Sequence, residues 1–333
     1  MKLRPKTFLL LFLLALWGVS QFQGQINLYQ LGILIDIGIA IVLGVSLNLV
    51  TGYTGQFSLG HAGFMAVGAY VSASVTLFLG PRWLPALGGG AAGTMALFVG
   101  SLVAGGLGAA LAGLAVGVPS LRLKGDYLAI VTLGFGEIIR VMVQNTEAVG
   151  GSRGLSIPTR DTGLFMTYLA AALTVYVVVS LVHSTYGRGF LMVRDDEVAA
   201  EAMGINTTKY KVMAFVVGAF FAGIAGGLYA HFKQFIHPEG FGFLRSVDIV
   251  VIVILGGMGN TPGVIFAAIL LTILPEGLRA LASWEALPMW LRAIVQNRMI
   301  LYSLLLICLM LTRPQGLFAG VGKWFRWLKR RAA

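Results

Sequence analysis

RGFLMVRDDEVAAEAMGINTTKYK, Arg188 to Lys211, is the only long charged and helix-forming run in a chain that is otherwise mostly apolar. Hydrophobic segments flank it on both sides, which places this stretch at a membrane surface and its neighbours in the membrane. Of 333 residues, 57% are hydrophobic, 11% are charged and 45 are glycine, too little polar surface for a soluble globule. The expected fold is an all-α, polytopic transmembrane helix bundle, one domain over 1–333, with interrupted helices. The formal net charge of +11 does not indicate nucleic acid, because the basic residues fall at the ends and in short loops between apolar runs. Cys308 is the only cysteine, so a disulfide within the chain is excluded.

The first apolar run, Thr7 to Ser20, follows Lys2, Arg4 and Lys6. It reads as a retained short helix, with a cleaved signal peptide as the alternative. Leu28 to Val50 is long enough to span and carries Asp36, an acid that marks a pathway by default or else sits at headgroup level. Next comes TGYTGQFSLGHAG, Thr51 to Gly63, where four glycines alternate with polar Gln56, Ser58 and His61. Irregular backbone is tolerated at membrane depth only where protein buries it or a wet cavity adjoins it. The two readings are a broken helix lining a pathway and a tight cytoplasmic turn.

Further spans are expected at Phe64–Leu79, Gly93–Val118, Tyr127–Gln144, Leu164–His183 and Val212–Phe232. Small residues recur every fourth position at Gly105, Ala109 and Gly113, and again at Gly218, Ala222, Gly226 and at Ala219, Gly223, Gly227, which lets helices approach closely. Glu137 and Arg140 share a helix face and form a candidate ion pair. Ser246–Leu255 then runs into GGMGNTPG, Gly256 to Gly263, and resumes at Val264–Leu274, as either one long interrupted helix or two shorter ones joined by the glycine turn. This second glycine break, with Asn260 in it, resembles the first in kind, and paired interruptions in two halves of a transporter point to a central pathway. Asp248 precedes the second break as Asp36 precedes the first. Pro275 to Arg298 reads as an interfacial loop and Met299 to Leu311 as a short last span.

Ten crossings, with eight or nine also possible, put the N-terminus, the 188–211 stretch and the basic tail on one side. That side holds about 15 of the 24 Lys and Arg and is therefore cytoplasmic. Within 188–211, residues 194–203 are expected to form a helix with Asp195, Asp196 and Glu197 in its first turn and Glu201 further on. Gly204 ends it, and Asn206 or Thr207 caps the next helix. Such an exposed knob with a small alanine face suits a groove on another protein; the plainer reading is a solvated helical loop. The chain has no G-x-x-x-x-G-K-[ST], and its one Gly-Lys pair, Gly322-Lys323, precedes Trp324, so ATP hydrolysis is not encoded here.

RDDEVAAEAMGINTTKYKVMAFVVGAFFAGIAGGLYA (Arg194–Ala230), VTGYTGQFSLGHAG (Val50–Gly63) and RPQGLF (Arg313–Phe318) together resemble the M-type permease subunit of branched-chain amino acid ABC importers, over roughly residues 28 to 318. The resemblance implies that the cytoplasmic loop is a coupling helix inserted into an ATPase subunit, with a pattern of glutamate, two alanines and glycine. Ala199, Ala200 and Gly204 match that pattern, while Val198 stands at the glutamate position and Glu197 lies one residue early. It also implies a second permease subunit, two ATP-binding subunits and an extracytoplasmic substrate-binding protein, in a bacterial or archaeal cytoplasmic membrane, with no cofactor in this chain itself. A urea or short-chain amide importer is the alternative within the family. A self-contained ion-coupled transporter using Asp36, Glu137, Arg140 or Asp248 is the alternative outside it.

Overall fold

In this computed structural model the described residues are 26–86, 88, 90–120, 123 and 125–282, with isolated positions 18, 24, 303, 304, 307, 311, 312, 316 and 317. The spans expected at 7–20 and 299–311, Cys308 and the basic tail lie outside them or are described only at single positions. Among the described residues eleven α-helices follow in order: α1 Leu28–Asn48, α2 His61–Ser74, α3 Gly80–Ala86, α4 Ala91–Ser120, α5 Asp126–Gln144, α6 Leu164–His183, α7 Thr185–Asp195, α8 Glu197–Ala202, α9 Thr207–Lys233, α10 Phe243–Gly256 and α11 Thr261–Ala282. Five-residue π-helical turns extend α1 through Tyr53 and α2 through Leu79.

Among the described residues, seven helical stretches are long and apolar enough to cross a membrane. The fold is thus an all-α polytopic bundle, and at 14 residues α10 falls below the length of the other spans. The surface agrees with a lipid environment: Leu107, Leu111, Leu114 and Val118 form one exposed stripe on α4, where a soluble protein would carry polar groups.

The centre of the bundle is α9, against which α2 and α4 pack so closely that only glycine fits. A Cβ on Gly68 would lie 2.2 Å from the Gly223 Cα, one on Gly105 2.6 Å from the Gly68 carbonyl, and one on Gly226 2.0 Å from the Met65 carbonyl. The expected small-residue rows are therefore packing surfaces. With no hydrophobic drive between helices in lipid, backbone contact of this kind supplies the association. Polar side chains are also joined across the same interfaces: His231 Nε2 lies 2.9 Å from Thr76 Oγ1, and the Ser72 hydroxyl donates to Ser101 Oγ at 3.1 Å.

The bundle has two distinguishable ends. One, the loop end, gathers α7, α8, the close of α1, the close of α10 and the starts of α9 and α11. The other, the strand end, carries a two-stranded antiparallel ribbon, β1 Leu155–Ser156 with β2 Phe235–Ile236. Leu317 returns to the loop end, where its N–H donates to the Leu255 carbonyl at 2.8 Å.

Two expectations are corrected and one open choice is decided. The helix expected over 194–203 is split, because Asp196 adopts an extended conformation (φ −158°) and its carboxylate caps a new helix, accepting from the N–H groups of Val198 and Ala199 at 2.9 and 3.1 Å. Residues 275–282 are the close of α11, not loop: Pro275 is accommodated within the helix. Of the two readings open for 246–274, the structure has two helices joined by the glycine turn, where Gly257 and Gly259 take φ of +90° and +77°.

Candidate pathway and loop-end surface

The segment from Thr54 to Gly60 does not stay at the loop end. Leu59 N–H donates to Thr132 Oγ1 in α5 at 3.1 Å, and His61 Nε2 sits 2.9 Å from Ser46 Oγ, about two turns of α1 above Tyr53. Non-helical backbone thus climbs from the loop end into the middle of the bundle, as a broken span rather than a surface turn. Gln56, Ser58 and His61 are all buried there. Both polar atoms of the Gln56 side chain, together with Asn48 Nδ2 and Thr51 Oγ1, find no hydrogen-bond partner among the described residues. Such groups are costly in an apolar interior and concentrate where a path or a ligand runs.

The two glycine breaks meet. Asn48 Oδ1 accepts from the Gly259 N–H at 2.9 Å, and Tyr53 and Thr261 share a hydroxyl contact of 2.9 Å. A Cβ on Gly52 would overlap the Gly259 nitrogen at 2.2 Å, so glycine is required on steric grounds. Arg194 of α7 lies over both breaks, within 3.0 Å of a Cβ on Gly55 and 3.2 Å of one on Gly259. Asn260 is in the second break, at the loop end. Asp36 is elsewhere, about 25 Å along α1 from Tyr53 at the helical rise. The five pathway candidates thus fall at three depths.

At the strand end, α1, α9, α10 and α11 enclose a cavity of about 430 Å³. Its outer lining is charged, with Asp36, Lys233, Arg245, Asp248 and Glu276, and its inner lining is aliphatic, with Leu43, Ile252 and Leu271. Asp36 Oδ2 pairs with Lys233 Nζ at 3.0 Å, and Glu276 accepts the Tyr29 hydroxyl. The expected pair forms as well: Arg140 Nε lies 2.7 Å from Glu137 Oε2. These two residues line a second cavity of about 500 Å³ that shares Arg245 and Asp248 with the first.

The loop-end surface is built from α7 and α8. Phe190 is fully buried and meets the Tyr210 ring edge-on at 5.7 Å, which fixes α7 to α9. Glu197 turns inward to Lys211, Oε1 to Nζ 2.6 Å, with side-chain exposures of 21% and 7%. The Thr207 hydroxyl donates to Glu201 at 2.7 Å, and Asn206 Oδ1 caps α9 by accepting from Lys209 N–H at 3.0 Å. Asp195 pairs with Arg194 at 2.9 Å. Gly204 takes φ of +81° with open space around it.

The expected alanine face needs correction. Ala200 is 3% exposed and packs inward, while Val198 and Met203 are 68% and 75% exposed, and Ala199 and Ala202 lie beside them. The exposed apolar face here is therefore Val198, Ala199, Ala202 and Met203. Sequence reasoning passed over Asn48, Arg194, Lys211, Lys233 and Arg245. Asn48 could have been found, as an amide near the end of an apolar run; the others are recognisable only by their partners.

Residues 29–310 match the family described as branched-chain amino acid transport system, permease component. The high-affinity branched-chain amino acid transport system permease protein LivM of Salmonella typhimurium is 35% identical over 94% of this chain and 75% of its own length. The permease protein LivH of Escherichia coli, of the same kind of system, is 25% identical over 70% of this chain and 79% of its own. Among solved structures, PsaBC from Streptococcus pneumoniae in complex with Fab covers 93% of this chain and 98% of its own at 15% identity and a TM-score of 0.44, too distant to bear on the fold.

Proposed function

Because the chain belongs to the branched-chain amino acid transport permease family, we propose that it is the membrane-spanning permease subunit of an ATP-driven importer for leucine, isoleucine and valine. The observation that carries this is the match over 29–310 together with a LivM relative aligned along nearly the whole chain. Two ATP-binding subunits, a second permease of the same family and an extracytoplasmic binding protein complete the importer. It sits in a bacterial or archaeal cytoplasmic membrane, crosses it ten times and has both termini in the cytoplasm.

The loop end is the cytoplasmic face in this reading. Val198, Ala199, Ala202 and Met203 are the surface that enters an ATPase subunit, α8 acting as the coupling helix, and Gly204 sets the turn behind it. Glu197 braces the knob from inside through Lys211. Force on the knob reaches the pathway by a short route, since Arg194, one turn from α8, packs on both glycine breaks. Those breaks hold Gln56 and Asn48, whose unsatisfied amides support a path that passes between them.

The reading is tested by radiolabelled leucine uptake in a strain deleted for this gene, with and without a plasmid copy. Uptake restored by the wild-type copy supports it. Unchanged uptake on deletion, with loss of urea or acetamide uptake instead, moves the substrate to the amide class.

A further inference from the structure

The strand-end cavity carries a polarity gradient set by the directions of its helices. Asp36, Arg245 and Asp248 stand toward the starts of α1 and α10, and Lys233 and Glu276 toward the ends of α9 and α11, so every charge is at the outer rim. One to two turns further in, the same helices present Leu43, Ile252 and Leu271. Both signs of charge lie over an aliphatic floor, in a volume typical of small-molecule sites, about 300–1,000 Å³.

Not all of the rim is closed on itself. Asp36 and Lys233 hold each other, and Glu276 is held by Tyr29. Arg245 and Asp248, one turn apart on α10, make no ion pair within 4.0 Å among the described residues, and Arg245 only overlies the Tyr229 ring at 5.8 Å. Asp248 is exposed and Arg245 partly exposed, so both charges stand open to a ligand. A ligand with one negative and one positive group, close together, satisfies both at once.

The geometry points to a binding site within this single chain for a free zwitterionic amino acid with an aliphatic side chain. Its carboxylate is held by the Arg245 guanidinium, its ammonium by the Asp248 carboxylate, and its side chain points inward to Leu43, Ile252 and Leu271. The site rests on the transport reading above and adds to it where substrate first enters the chain and which end leads. A planar guanidinium suits a carboxylate in two-pronged contact, and Leu43, Ile252 and Leu271 suit an aliphatic side chain, with the neighbouring Thr272 hydroxyl donated to the Ala268 carbonyl at 2.8 Å.

The test uses the full chain, purified with the subunits that accompany it, carrying Cys308→Ser and Thr272→Cys; Thr272 lines this cavity. Labelling of the new thiol by a water-soluble reagent is followed with L-leucine, with 4-methylpentanoate (negative group only) or with 3-methylbutylamine (positive group only). L-leucine should slow labelling and the single-charge analogues should not. Arg245→Gln and Asp248→Asn should each weaken that protection by about tenfold to a hundredfold, the loss expected for one charged contact. Equal protection by either analogue, or undiminished protection in both variants, overturns the site. Direct binding of radiolabelled leucine to the chain with its native Thr272 and Cys308 gives the same readout if the thiol variant fails to fold. Leucine uptake in cells separates the two claims: full uptake with Arg245→Gln and Asp248→Asn removes this site and leaves the transport reading intact, whereas no uptake with the wild-type chain removes both.

Discussion

Asn48 and Gly259, 211 residues apart, are joined by a 2.9 Å hydrogen bond in which the side-chain carbonyl of one break accepts from the backbone of the other. The bond ties the close of α1 to the turn between α10 and α11, directly under Arg194. Asn48→Leu leaves the partly buried Gly259 N–H without its acceptor, which costs about 1 kcal/mol. The expected result is a lower melting temperature and reduced leucine uptake at equal membrane abundance. An unchanged melting temperature would show that the breaks hold together without this bond.

Gly226 packs on the Met65 carbonyl at a distance where no Cβ fits. Gly226→Val should prevent α2 from seating on α9, and the chain should then accumulate poorly in the membrane or run as an aggregate on gel filtration in detergent. Gly277, with open space around it, is the matched control, and Gly277→Ala should behave as wild type.

Glu197 and Lys211 form a pair that is mostly buried, so removing Glu197 strands the Lys211 ammonium. Glu197→Leu alone should lower stability by about 2–3 kcal/mol, with the partial exposure of the pair keeping the figure at the low end. Combining it with Lys211→Met should recover most of the loss, because the stranded charge goes too. Thermal unfolding of the two single variants and the double variant reads the coupling directly, and additive losses would contradict a bracing role.

Gly204 sits at φ +81° with nothing within 4 Å, so a side chain there meets strain in the backbone and not a clash. Gly204→Ala should cost about 1 kcal/mol locally. Gly204→Val should cost more, since a β-branched residue tolerates this region worst. Leucine uptake should fall in that order while membrane insertion persists. Normal uptake by the valine variant would remove the turn from the coupling surface.

Much of the architecture could be read from the chain because it depends on local pattern. Leu164–His183 appears as expected to the residue, and the rows at 105–113 and 218–227 mark the faces where α9 packs on α1, α2 and α4, because small residues four apart announce close approach wherever they occur. What could not be read depends on distant partners or on a choice between two local options. Asp196 follows Asp195 and precedes Glu197, and three acids in a row fit a first helical turn as well as they fit a cap; only the fold selects the cap. The inward turn of Ala200 and Glu197 follows from where α9 lies. The depth reached by 54–60 follows from contacts with Ser46 and Thr132 on two other helices. Asp36 and Asp248, paired only loosely by their positions ahead of the two breaks, prove to line one cavity.

The central claim is that this chain moves substrate only when partner subunits hydrolyse ATP against its loop-end surface. It is tested most directly in proteoliposomes that contain the chain with its co-expressed permease and ATP-binding subunits, with ATP and the binding protein supplied, and leucine accumulation as the readout. The account predicts ATP-dependent accumulation by the whole assembly, its loss with Val198→Asp at the exposed knob, and none by the chain alone under an ion gradient. Leucine transport by the chain alone, driven by protons or sodium, would contradict it.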